Sequence, residues 1–205
     1  MKNLNFILIL AILFIQTTTT YAISRTWGSI SFERGTSLNS VDFTEYDSKF
    51  SGDTLLNNQS VSLKYGYRFE QDFIPPMEPK LVYSYTKIDK PGQFYYTCEY
   101  GLGGELTIGA GQFINVSFGG IYCGQGASTA IIYNSSSPAD NPYPSTLART
   151  YGILGLTFPG RTHEFTIGYH LTNDQLRFSG TENEGPKIIQ TQMYMLQYQT
   201  QMTLF

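Results

Sequence analysis

The chain has 205 residues and a net charge of −3, with 14% charged and 15% aromatic residues. A mildly acidic, charge-poor chain offers no basic surface for nucleic acid, and the length fits one domain. Beyond Ala22 no apolar run approaches the roughly 20 residues of a spanning helix, and sustained helical periodicity is absent. If this chain meets a membrane, it does so as a barrel of strands.

The chain opens with Lys2, an apolar run from Phe6 to Ile15 and the small-residue site Thr20-Tyr21-Ala22. That run is about half a membrane span, so it reads as an export signal cleaved after Ala22. Residues 1–22 are expected to be a signal peptide and 23–205 the exported domain.

From Trp27 to Arg34, Ser29, Ser31 and Glu33 oppose Ile30 and Phe32, giving a first strand; the polar stretch Gly35 to Asn58 reads as a loop. The second strand, Ser60 to Glu70, alternates most cleanly. Val61, Leu63, Tyr65, Tyr67 and Phe69 share one face, and Lys64, Arg68 and Glu70 fall on the other with small residues. Pro75, Pro76 and Pro79 then forbid continued pairing. The third strand, Lys80 to Ile88, sets Leu81, Tyr83 and Tyr85 against Val82, Ser84 and Thr86. The fourth, Tyr95 to Ile108, sets Tyr96, Cys98, Tyr100, Leu102, Leu106 and Ile108 against Thr97, Glu99, Gly101, Gly103, Glu105 and Thr107. In the fifth, Ile114, Val116, Phe118 and Tyr122 oppose Asn115, Ser117 and Gly119. A polar loop, Gln125 to Thr146, leads to a sixth strand near Arg149 to Phe158 whose facing the pattern leaves open. In the seventh, Phe165, Ile167, Tyr169 and Leu171 oppose Glu164, Thr166, Gly168 and His170. After a loop from Asn173 to Pro186, the eighth, Lys187 to Phe205, sets Tyr194, Leu196, Tyr198, Met202 and Leu204 against Gln197, Gln199, Gln201 and Thr203.

Eight strands joined by alternating long and short connections predict an all-β fold: an eight-stranded antiparallel transmembrane barrel of the bacterial outer membrane, with short periplasmic turns and longer extracellular loops. A soluble lipocalin-type barrel would bury its apolar faces inward and crowd many tyrosines into a small lumen. In the membrane reading Glu33, Lys64, Arg68, Glu99, Glu105 and His170 face the lumen. An eight-stranded interior is just wide enough for side chains to fill, so these groups are expected to pair into a plug rather than line a channel. Phe43, Tyr46, Phe50 and Tyr143 are candidate contact residues in the outer loops, with packing inside the loops as the alternative. The alternation points Cys98 to lipid and Cys123 to the lumen, which predicts two free thiols.

The run Leu63-Lys64-Tyr65-Gly66-Tyr67-Arg68-Phe69-Glu70 resembles the Lys-Tyr-Arg-Tyr-Glu run in the second strand of the Ail/Lom/OmpX family of small outer-membrane barrels. Tyr83-Ser84-Tyr85-Thr86-Lys87, the pair Tyr95-Tyr96 and Arg149-Thr150-Tyr151-Gly152 add to the resemblance. Two features depart from it. The family's glycine-rich motif survives loosely in Ser117 to Gly126, and the terminal Phe205 is in phase with Gln199 and Gln201. The resemblance implies attachment to host surfaces, invasion or resistance to serum killing, exerted by the extracellular loops. The partners implied are outer-membrane lipid and lipopolysaccharide, with host surface or serum proteins at the loops, for a monomer without cofactor, metal or catalytic residues. The alternatives are a structural envelope protein, a narrow pore, or a barrel enzyme that modifies lipid acyl chains. Only His163 and His170 could serve that last chemistry, and neither belongs to a His-x-Ser pair.

Overall fold

The period-two alternation closes into a ring. The computed structural model describes residues 25–41, 55–71, 74–132, 142–178 and 185–202. Its strands are β1 (Arg25–Ser37), β2 (Asn57–Gln71), β3 (Ile74–Lys90), β4 (Phe94–Ile108), β5 (Ile114–Cys123), β6 (Ser128–Ile132), β7 (Pro142–Pro159), β8 (His163–Phe178) and β9 (Lys187–Met202). Each pairs antiparallel with its neighbours, and β1 closes the ring by pairing with both β2 and β9. A short 3-10 turn, Gln125–Ala127, separates β5 from β6, and the two occupy one position between β4 and β7. The barrel therefore has eight staves. Among the described residues closure leaves no unpaired sheet edge, which is the condition for strands to lie in lipid.

The turns β2–β3, β4–β5 and β7–β8 are short and share one end of the barrel with Arg25 and Met202. By the rule for such barrels this end is periplasmic and the other extracellular. Outward-facing side chains form an apolar belt, seen on β8 as Phe165, Ile167, Tyr169 and Leu171 and on β2 as Val61, Leu63 and Tyr65, all exposed. Aromatic pairs mark both margins. Tyr169–Tyr194 and Tyr83–Tyr100 stand toward the extracellular side, with Phe113–Phe158 and Tyr67–Phe69 toward the periplasm. Ile167 lies mid-belt, so Ile167→Arg should destabilise the barrel by about 2–4 kcal/mol, whereas Asn173→Arg, on the same face above the belt, should change it by less than about 1 kcal/mol. Urea titrations of the two variants in lipid vesicles check this, and equal effects would mean that the belt is misplaced.

Toward the extracellular end the alternation inverts. On β8, Asn173, Gln175 and Arg177 point out, while Asp174, Leu176 and Phe178 point in. Of the inward groups, Leu176 and Phe178 join Val41, Leu56, Ile88, Phe94, Tyr96, Ala130, Leu147 and Ile189 in an apolar core that fills the mouth of the barrel. The barrel thus has two storeys: polar inside and apolar outside where lipid surrounds it, and apolar inside and polar outside where water does.

This inversion shortens the expected loops. Residues read as loop between Asn173 and Phe178 continue β8, and those from Ser128 to Ile132 form β6. Strand β3 also starts earlier than expected, at Ile74. Its prolines are tolerated because they lie at the turn end, where the β2–β3 ladder skips from Gly66↔Lys80 to Phe69↔Met77 and Pro79 keeps its register only with Leu106 of β4.

The facing expected for β4 holds only in its periplasmic half. Between Ser84↔Gly101 and Thr86↔Cys98, β3 advances two residues while β4 advances three. The extra residue is a bulge, and it reverses the alternation beyond it. Tyr96 and Cys98 consequently point inward, and Glu99 is exposed on the outer face. Cys98 meets Cys123 at a Cα separation of 6.1 Å and the two form a disulfide, in place of the free thiols expected from unbroken alternation.

Candidate functional site

Inside the membrane storey, buried charges on facing staves tie the walls together in tiers. Nearest the periplasm, the guanidinium of Arg68 (β2) donates to both carboxylate oxygens of Glu164 (β8), each at 2.6 Å, and through Nε to Glu78 (β3) at 3.0 Å. Gln199 (β9) donates to Glu78 at 2.7 Å, and the Trp27 ring stacks 4.2 Å from the centre of the guanidinium. The turn after β4 roofs this cluster. A Cβ on Gly111, whose φ is +79°, would come within 2.7 Å of the Arg68 Nη1, so only glycine allows the backbone so close.

In the next tier Glu105 (β4) accepts from Lys64 (β2) at 2.6 Å, from Lys80 (β3) at 3.3 Å and from the Tyr151 (β7) hydroxyl at 3.1 Å. The Tyr151 ring reaches across because Gly119 has no side chain: a Cβ there would sit 2.4 Å from the hydroxyl. Lys80 also donates to Thr107 at 3.0 Å and lies 3.7 Å from Glu78, which links the two tiers. Beside them Glu33 (β1) takes a hydrogen bond from Ser31 at 3.1 Å and has His170 Nδ1 at 3.0 Å.

Under the apolar storey Arg149 (β7) grips Asp174 (β8) with two hydrogen bonds of 2.6 and 2.7 Å. It also donates to Thr86 (β3) and Asn58 (β2), each at 3.3 Å. Bidentate guanidinium–carboxylate pairs of this kind fix orientation as well as charge. What space remains near Arg68 and Lys80 is a polar cavity of about 10 Å³, room for roughly one water.

Of the residues expected in the lumen, Glu33, Lys64, Arg68, Glu105 and His170 are there, with Lys64 on Glu105 and Glu33 beside His170. Glu99 is not, because the β4 bulge turns it outward. The partners of Arg68 are Glu78 and Glu164, outside the set expected to pair with it. Those two, with Lys80, Arg149 and Asp174, complete the network. Lys80 and Glu164 shared a parity with recognised lumen residues, and Asp174 is in phase with His170 and Thr172, so the alternation carried their signal. Glu78 was hidden among prolines, and the unread facing of the sixth strand concealed Arg149. Phe43, Tyr46 and Phe50 lie outside the described residues, as does the side chain of Tyr143.

An even-staved closed barrel with an apolar belt, aromatic margins and a polar, side-chain-filled lumen is an outer-membrane barrel, and the protein resides in the bacterial outer membrane. No protein-family model matches the chain, and no curated protein matches it. Among solved structures it is similar to Neisserial surface protein A (NspA), at 9% identity over 87% of this chain and 97% of that one, with a TM-score of 0.47. It is also similar to the β domain of the Bordetella autotransporter BrkA, at 12% identity over 88% and 72% of the two chains and a TM-score of 0.39. The translocator domain of the autotransporter NalP from Neisseria meningitidis is 11% identical over 91% of this chain, with a TM-score of 0.40; the match spans 65% of that domain.

Proposed function

We propose that this protein is a monomeric surface protein whose barrel serves as a closed anchor, and whose activity lies in the segments it displays outside the cell, in adhesion to host surfaces or protection from serum killing. The observation that carries this reading is the double closure of the lumen, by ion-pair tiers within the membrane and by the apolar core above them. A barrel sealed in this way leaves its outer face and its ends for function. The resemblance to the Ail/Lom/OmpX family points the same way, and lipopolysaccharide and host or serum proteins are the partners it suggests. Glu99, turned outward, belongs in this reading to the surface rather than to the lumen.

The two histidines fit this reading better than a catalytic one. His163 sits on the outer face with its Nδ1 2.7 Å from the Tyr198 hydroxyl, and His170 is sealed in the lumen beside Glu33. A nucleophile and an open path for an acyl chain would be needed at either.

The test is to replace residues 42–54 and 133–141 with short Gly-Ser links, which spares the apolar core. The variant should stay heat-modifiable on gels and lose attachment to host cells or survival in serum. Unchanged attachment and survival would transfer the role to the envelope itself. In planar bilayers the parent protein should show little steady conductance, and large stable openings would favour a pore.

A further inference from the structure

The outer face of β1 and its two neighbours carries a second feature, separate from the loops. Register places Gln59, Arg34 and Tyr194 side by side across β2, β1 and β9, and directly below them, one pleat toward the periplasm, Val61, Phe32 and Leu196. All of these point outward and line a groove of about 390 Å³. The lower row is apolar, with Phe32 54% and Leu196 49% exposed, and continues down as Leu63, Ile30 and Tyr198. The row above, Asn57, Thr36 and Gln192, is polar. Arg34 therefore stands at the line where the belt ends on the extracellular side.

Arg34 has no ion-pair partner among the described residues. Lys87, an outward cation on β3, differs in being held by Asp89 at 2.9 Å. Two other grooves on the outer face lack a cation of this kind. One, floored by Leu63, Tyr65, Leu81, Tyr83 and Leu102, is apolar on its outward side, and the other presents Thr150, Asn173 and Gln190. A guanidinium at the edge of the acyl layer, flanked by an amide and a phenol and set above an apolar trough, matches a molecule with phosphate on its head and saturated chains below. A lipid with no anionic group would leave the charge of Arg34 without a counterpart.

The geometry points to a binding site for lipopolysaccharide, the phosphorylated glycolipid of the outer leaflet. Arg34 takes a lipid A phosphate, Gln59 and Tyr194 take the phosphate or sugar hydroxyls, and an acyl chain lies along Val61, Phe32 and Leu196. The site lies below the loops, so it stands or falls independently of the loop-borne activity.

Native mass spectrometry of the refolded barrel, released from detergent with defined lipids, tests this. The parent should retain one diphosphorylated lipid A and hold its dephosphorylated form roughly tenfold more weakly, the worth of a charge-assisted hydrogen bond. Arg34→Gln should lose the same factor and Gln59→Ala a smaller one, while Arg177→Gln, higher on β8, should bind like the parent. Arg34 and Gln59 are on the surface, and heat-modifiable mobility verifies that each variant is folded. Parental retention by Arg34→Gln would overturn the site. So would an equal loss with Arg177→Gln, which marks diffuse electrostatics, or equal retention of phosphatidylglycerol, which marks a general anionic headgroup.

Discussion

Arg68→Met is expected to destabilise the barrel by about 3–5 kcal/mol, because it leaves two buried carboxylates without their shared cation. Glu164 would lose both of its 2.6 Å hydrogen bonds. Glu78 would keep Gln199 and the Lys80 ammonium at 3.7 Å. Most of the cost therefore falls on Glu164, and the double variant Arg68→Met/Glu164→Met should recover much of it, as buried pairs do when both partners are removed. Trp27, the single tryptophan of the chain, lies against the guanidinium, so its emission follows the unfolding at this site. Urea titrations in lipid vesicles give the comparison. A loss below about 1 kcal/mol for the single variant, against the range for breaking a buried pair, would show that water or a neighbour replaces the cation. A double variant no better than the single one would place the cost in lost packing instead.

The second large effect concerns the disulfide. Cys98 and Cys123 are 25 residues apart in sequence and both are fully buried. Closing a loop of that length stabilises the folded state by about 3.5 kcal/mol on the chain-entropy scale. Cys98→Ala/Cys123→Ala should lose most of that. The bond joins β4 beyond its bulge to the end of β5, just before the 3-10 turn that interrupts this stave. Loosening should therefore concentrate in the extracellular storey, with protease cleavage there preceding any change at Trp27. A peptide map of the parent should contain one linked peptide. Two free thiols titrating in unfolded, unreduced protein would contradict the bridge, and a uniform loss of protection would contradict its local role.

Unbroken alternation would set Cys98 and Cys123 on opposite faces of the wall, and one extra residue in β4 brings them to the same face. In β2 and β8, alternation alone assigned every facing within the belt, because lipid outside and polar matter inside impose opposite demands on successive residues. Strand β4 obeys the same rule on each side of Glu99 and Tyr100, but nothing in Thr97 to Leu102 marks the extra residue. The bulge offsets β4 against β3 by one residue, and that is a relation between two strands. The partners of Arg68 have a similar origin. Its charge and inward facing were legible, but Glu164 reaches it from the far wall, 96 residues away in sequence.

The number of staves, their order and the apolar belt are written in the chain locally, since each depends on alternation and on where turns fall. So is the presence of charge in the lumen. Which charges meet, that Glu99 leaves the lumen and that Cys98 finds Cys123 follow from the assembled barrel alone. The assembled barrel also carries the strand expected to end before Asn173 upward around an apolar core. There the same period of two persists with its faces exchanged, because water has replaced lipid outside, and a reading that looks for lipid-facing residues takes that exchange for the end of the strand.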